Sequence, residues 1–99
     1  MKILTPGHKY ELSNFDNPER PGQTLQFIQK AGDPVELVSD GTTNEEVLEM
    51  LIDRMRFLGG LLPCRETSIA ITKCEEALLW LERRTTDRRN RGVEGTYKP

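Results

Sequence analysis

The chain has 99 residues, with 14 Lys and Arg against 16 Asp and Glu, a formal net charge of −2 and 35% apolar side chains. This describes one small acidic domain. A chain of this length buries only about 60–65% of the surface that its unfolded form exposes, so a modest core and self-association are expected. No apolar run approaches the roughly 18–20 residues needed to cross a bilayer. The opening MKILTPGHKY lacks the apolar stretch and cleavage site of a secretory leader, which sets a cytoplasmic expectation.

The first forty residues read as short strands and turns. YELSNF places Tyr10, Leu12 and, less regularly, Phe15 against polar neighbours. The cluster Asp16, Asn17, Pro18, Pro21, Gly22 then supplies the residue types of a chain reversal. QTLQFIQK is rich in strand formers and predicts a second strand pairing with the first. A turn at AGDP leads to VELVS, where Val35 and Leu37 share one face. These segments predict a two- or three-stranded antiparallel meander.

DGTTNEE marks a change of regime. Thr43 with Glu46, or Thr42 with Glu45, forms a capping box that opens a helix, with acidic residues matching the positive end of its dipole. Val47, Leu48, Leu51, Ile52, Met55 and Leu58 follow helical spacing and give one apolar stripe, which Gly59-Gly60 and then Pro63 are expected to end. In the next helix Ile71, Cys74, Leu78 and Leu81 form a stripe with Ala70 and Ala77 close by, and Thr67 or Ser68 is the expected cap. The fold class that follows is α+β. A small antiparallel β meander (1–40) precedes an antiparallel two-helix hairpin with a basic tail (41–99), in one domain that oligomerises through its helices.

Charge is distributed unevenly along this plan. Residues 83–99 hold five Arg and one Lys against Asp87 and Glu94, whereas residues 1–82 hold eight basic and fourteen acidic side chains. Arginines near a helix C-terminus complement its dipole, which accounts for some of them. Five within nine residues exceed what capping requires. Their forked donors suit an anion, and Gly92 lets the chain leave the helix and offer backbone NH groups to a ligand. Arg84, Arg88 and Arg91 at the helix end, with Arg65, Thr72 and Lys73 nearer its start, are the candidate ligand-binding residues. Trp80, at helical spacing from Glu76 and Arg84, reads more readily as a packing residue than as a base-stacking platform.

Catalysis finds no support in this pattern. His8 is the only histidine and has no nucleophile motif beside it. The carboxylates of Glu45, Glu46, Glu49, Glu75 and Glu76 fit solvated helix faces. Cys64 and Cys74 are about 15 Å apart along one helix, too far for a disulfide, and no His is near enough in sequence to make a zinc site with them. No catalytic residue, metal or cofactor is therefore expected. A small nucleic-acid-binding or regulatory module using the basic tail is the alternative, although a net charge of −2 is far from the pI above about 9 typical of such domains.

The block GTTNEEVLEMLIDRMRFL, the loop ending PCRET, the run SIAITKCEEALLWLERR and the ending DRRNRGVEGTYKP resemble the helical hairpin shared by two phage anti-defence sponges, the anti-CBASS sponge and the Thoeris anti-defence sponge. The resemblance covers about residues 41–99. HKYELSNFD and QTLQFIQK also look like phage proteins that carry this hairpin. It implies a protein of the host bacterial cytoplasm that binds cyclic di- or trinucleotides, or cyclic ADP-ribose isomers, and sequesters them without cleavage. It also implies a homo-oligomer, often a hexamer, with pockets between protomers. Carried over to the matching block, the ligand contacts would be Arg65, Thr72, Lys73, Arg84, Arg88 and Arg91. Cys74 departs from the large apolar residue expected in that run, a difference that touches packing more than binding. The N-terminal part, which differs between branches of the family, would help to choose the ligand.

Overall fold

The computed structural model describes all 99 residues. They form five short strands and two helices, in two compact units, Met1–Thr43 and Asn44–Pro99. The architecture is the expected α+β class, with antiparallel strands first and a helical hairpin after them.

In the first unit, β1 (Lys2–Thr5), β2 (Lys9–Leu12) and β3 (Gln23–Gln26) make an antiparallel sheet in that order, and β4 (Gln29–Ala31) pairs with β5 (Glu36–Ser39) in a separate ribbon. Strand β1 was not among the expected elements. It forms because Gly7, at φ +78°, permits a tight turn in which the His8 N–H donates to the Thr5 carbonyl at 3.0 Å. Lys2 then lies opposite Glu11, with the ammonium 3.7 Å from the carboxylate. The expected first strand stops at Leu12, and Phe15 stands fully exposed in the loop. Tyr10 meets Phe27 edge to face at 5.9 Å.

QTLQFIQK does not run as one strand. Its Phe27 N–H donates to the His8 carbonyl, its Ile28 N–H donates to the Thr42 carbonyl, and the Thr42 N–H returns to Gln26. The chain therefore changes partners at Phe27-Ile28 and divides into β3 and β4. This crossing needs a glycine at position 41, because a Cβ there would lie 2.5 Å from the Gln26 carbonyl oxygen. Gly22 is required for the same reason beside the Leu12 carbonyl.

In the second unit, α1 (Asn44–Leu61) and α2 (Arg65–Asn90) lie antiparallel. Helix α1 begins directly after Thr43 and carries Glu45 and Glu46 in its first turn. It continues through Gly59-Gly60, which were expected to end it. Neither glycine takes a positive φ, so both continue the helix. The helix stops just ahead of Pro63, whose ring cannot continue it.

The cap of α2 also differs from expectation. Cys64, extended at φ −151° and ψ 154°, occupies the N-cap, and the Thr67 N–H donates to its Sγ at 3.4 Å. The start therefore falls before Thr67 and Ser68, which lie inside the first turn. The Thr67 hydroxyl, 3.0 Å from Sγ, and the Thr67 N–H both hold the Cys64 thiol below its ordinary value. A group whose folded pKa is depressed stabilises the fold above its unfolded pKa, and that contribution is lost as pH falls through the folded pKa. Iodoacetamide is therefore expected to alkylate exposed Cys64 faster than half-buried Cys74, with a rate midpoint below that of a free thiol. Equal rates, read by peptide mapping, would contradict the lowering of the Cys64 thiol by its cap contacts.

The core is very small. Ile52 is the one buried apolar residue, and no side chain is completely enclosed. Ile71, Cys74, Leu78 and Leu81 are partly covered, as the stripe predicts, whereas Ala70 and Ala77 are exposed. Arg56 on α1 and Glu75 on α2 join the helices with a 2.7 Å ion pair. Met50, Phe57, Leu61, Leu79 and Trp80 remain exposed, apolar surface that the protomer does not itself cover.

Candidate anion-binding face

The tail is folded back on the end of α2. Arg91 caps the helix and Gly92 takes φ +73°. The Gly92 N–H donates to the Arg89 carbonyl at 3.1 Å and the Val93 N–H to the Arg88 carbonyl at 3.0 Å, the paired closure of a Schellman motif. Gly92 leaves the helix as the sequence suggests, but these NH groups close the helix and do not reach toward a ligand.

Three arginines hold that tail. Arg88 is only 9% exposed, and its Nη2 donates to the Val93 carbonyl at 3.1 Å and the Thr96 carbonyl at 2.7 Å. Arg89 grips Glu94 with Nε and Nη2 at 3.0 and 3.3 Å, an ion pair that favours its charged form. Arg91 binds the Asp87 carboxylate through Nε at 2.9 Å and the Pro99 oxygen through Nη1 at 2.7 Å. Much of the basic cluster therefore organises the chain end.

The other cations point outward. Arg65 and Arg84 are exposed and unpaired within the protomer. Lys73 has only a loose 3.7 Å pair with Glu76, and the Thr72 hydroxyl donates back to the Ser68 carbonyl at 3.2 Å. At 100° per residue these positions lie on the side of α2 away from Ile71, Cys74 and Leu78, which face α1. They do not form one cluster. Lys73 and Arg84 are separated by about 16 Å along the helix axis, so Arg65, Thr72 and Lys73 form one group and Arg84, Arg88 and Arg91 another.

Trp80 lies between the two groups. Its ring is 66% exposed, and the Arg83 guanidinium sits 5.3 Å from the ring centroid. The expectation that Trp80 packs is not met within the protomer. Beside the ring is a shallow hollow of about 260 Å³ lined by Glu76, Leu79, Trp80 and Arg83. Arg83 was not among the candidate residues, although its i, i+3 spacing from Trp80 is a legible signal. A second groove, about 320 Å³, runs between the helices over Ile52, Leu78 and Leu79. Its rim carries Glu49, Asp53 and Glu75 against Arg56 alone, an acidic lining that disfavours an anion.

Residues 24–86 match the family model described as the Acb2/Tad1 hairpin domain. The match includes β3, β4 and β5 as well as the hairpin, so it begins earlier than the resemblance at residue 41 implies. It ends before Arg88 and Arg91. The chain is also 46% identical over 76 residues to "Thoeris anti-defense 1" of Bacillus phage SBSphiJ7, covering 76% of this chain and 52% of that protein. It thus spans about half the length of the curated relative that it matches.

Proposed function

The chain belongs to the Acb2/Tad1 hairpin-domain family, and from that membership we propose that it is a phage anti-defence protein that acts by sequestration. Its ligands are cyclic di- or trinucleotides, or cyclic ADP-ribose isomers, held intact in the cytoplasm of the host bacterium. Support comes from the relative named for anti-defence against Thoeris. The observation that carries the reading is the pair of unpaired guanidinium groups, Arg65 and Arg84, on the outer face of α2. Each can donate two parallel charge-assisted hydrogen bonds to a phosphate. Lys73 adds a point charge and the Thr72 hydroxyl a neutral contact. Arg88 serves by fixing the tail, and Arg91 lies next to it.

Sequestration requires affinity without bond cleavage, and the proposed protein is not an enzyme. The ligand contacts are shared between protomers of a homo-oligomer, of which a hexamer is the proposed form. Exposed Phe57, Leu61, Leu79 and Trp80 supply apolar surface for its interfaces.

The test is to incubate the purified protein with a panel of cyclic di- and trinucleotides and cyclic ADP-ribose isomers, remove free ligand, denature by heat and identify what is released. One member recovered intact is the expected result. Recovery of a linear product would replace sequestration with hydrolysis, and no retention at all would reject the ligand class.

A further inference from the structure

We infer that Asp40 is a site of spontaneous backbone rearrangement, at which the Gly41 nitrogen closes on the Asp40 side chain to a succinimide that water reopens as isoaspartate. The inference does not depend on what the protein binds. It starts from the short link between Ser39, the last residue of β5, and Thr42, which carries the crossing to Gln26 and Ile28. Only Asp40 and Gly41 lie between them.

The fold itself fixes the neighbour that the reaction needs. A Cβ at position 41 would lie 2.5 Å from the Gln26 carbonyl oxygen and 2.6 Å from the Phe27 carbonyl carbon, so the crossing admits no side chain there. A side chain after an aspartate is what ordinarily obstructs ring closure, and glycine leaves the nitrogen open and the link free to turn. The reacting groups are already together. The Gly41 N–H donates to the Asp40 carboxylate at 2.9 Å, and the carboxyl carbon is one bond beyond that oxygen, close to the roughly 3–3.5 Å from which bonds form. Asp40 is exposed, so water reaches it.

The other aspartates lack this combination. Asp33 precedes Pro34, which has no N–H. Asp53 and Asp87 lie inside α1 and α2, where the helix holds the N–H that follows. Asp16 is followed by Asn17, whose side chain stands beside the nitrogen.

The chemistry balances with water alone. The Gly41 nitrogen loses its proton and bonds to the Asp40 side-chain carboxyl carbon; that carbon gives up its hydroxyl, and one water leaves. Water then adds to the ring. Attack at the former backbone carbonyl breaks its bond to nitrogen and leaves the chain running through the side chain as isoaspartate, whereas attack at the other carbonyl restores aspartate. The isoaspartyl main chain is longer by one carbon, about 1.5 Å, at a crossing with no room for a methyl group. The Thr42 N–H bond to Gln26 and the Ile28 N–H bond to Thr42, each 2.9 Å, then cannot both persist. The helices belong to the other unit and keep their structure. Asp40 thereby sets a chemical lifetime on the N-terminal crossing.

The test warms the full chain in neutral buffer beside a synthetic peptide of residues 37–46 and follows isoaspartate at position 40 by peptide mapping with electron-transfer fragmentation. The folded chain is expected to convert between one and about ten times as fast as the peptide, through a form lighter by one water, with the other aspartates unchanged. Conversion about tenfold slower than in the peptide would overturn the inference, because the fold would then shield the link. Asp40→Glu, which would have to close a larger ring, is expected to stop the reaction. Asp40→Asn should pass through the same succinimide with ammonia as the leaving group, and faster than the parent; a variant that stays intact would also overturn the inference. Hydrogen exchange on the separated isoaspartyl form should show Ile28 and Thr42 losing protection while α1 and α2 keep theirs. Unchanged protection at Ile28 and Thr42 would overturn the lifetime assigned to the crossing.

Discussion

Arg84→Ala and Arg88→Ala are expected to fail in different ways, although both remove a cation from the same basic segment. Arg84 is exposed and unpaired in the protomer, so truncation breaks no contact within the protomer. Loss of a charge-assisted pair of hydrogen bonds should cost about 1.5–3 kcal/mol, or about ten- to a hundredfold in affinity for the captured cyclic nucleotide by calorimetry. Amide protection in residues 92–96 should be unchanged. Arg88 has the opposite profile. A single Nη2 gives one proton to Val93 and the other to Thr96, from a side chain only 9% exposed. Its removal orphans the Thr96 carbonyl, while the Val93 carbonyl keeps the Thr96 N–H and hydroxyl, and loosens the turn, at a cost of about 2 kcal/mol to tail docking. Hydrogen exchange should show residues 92–96 losing protection, with any fall in affinity following from that release. If Arg88→Ala leaves these amides protected, its assigned role as the tail's anchor is wrong. If Arg84→Ala binds like the parent, α2 does not carry the ligand where proposed.

The contrast between these two arginines marks the limit of what the chain itself discloses. Helical spacing placed Ile71, Cys74, Leu78 and Leu81 on one stripe, because a 3.6-residue period is a property of the local sequence. The start of α1 directly after Thr43, with Glu45 and Glu46 in its first turn, was legible for the same reason. Strand β1 was not, since MKILT acquires its partner only through the Gly7 turn and the register with β2. The division of QTLQFIQK was hidden too, because the Ile28 N–H bonds to Thr42, fourteen residues away. At the basic end, composition pointed to a cluster of cations but gave no means of telling Arg88 from Arg84. Only the fold-back of Gly92–Thr96 separates a guanidinium that closes the chain end from one that is presented outward. Trp80 is the reverse case. Its apolar bulk argued for packing, and its exposure shows that any packing has to come from outside the protomer.

Ile52→Ala should have the largest effect on stability of any single truncation in the hairpin. Ile52 is 5% exposed and is the one buried apolar side chain in the protein; it lies beneath the groove that Leu78 and Leu79 line from α2. Truncating a buried isoleucine costs about 2–5 kcal/mol, the upper part arising where the surroundings cannot collapse into the space. The Arg56–Glu75 ion pair bridges the helices at 2.7 Å on the rim of the same groove. Against a total stability of about 5–15 kcal/mol, the loss should lower Tm by about 10 °C or more at fixed protein concentration. Phe57→Ala provides the counterpart. At 67% exposure its ring contributes little inside one protomer, so dilute samples should melt within a few degrees of the parent. The two variants should also differ in concentration dependence. Where association stabilises the fold, Tm rises with protein concentration. Ile52→Ala, whose defect is internal, should keep that slope, and Phe57→Ala should flatten it if its ring is covered by a neighbouring copy. Equal slopes in both variants would remove Phe57 from the assembly surface, and a normal Tm in Ile52→Ala would mean that the hairpin is held chiefly from outside.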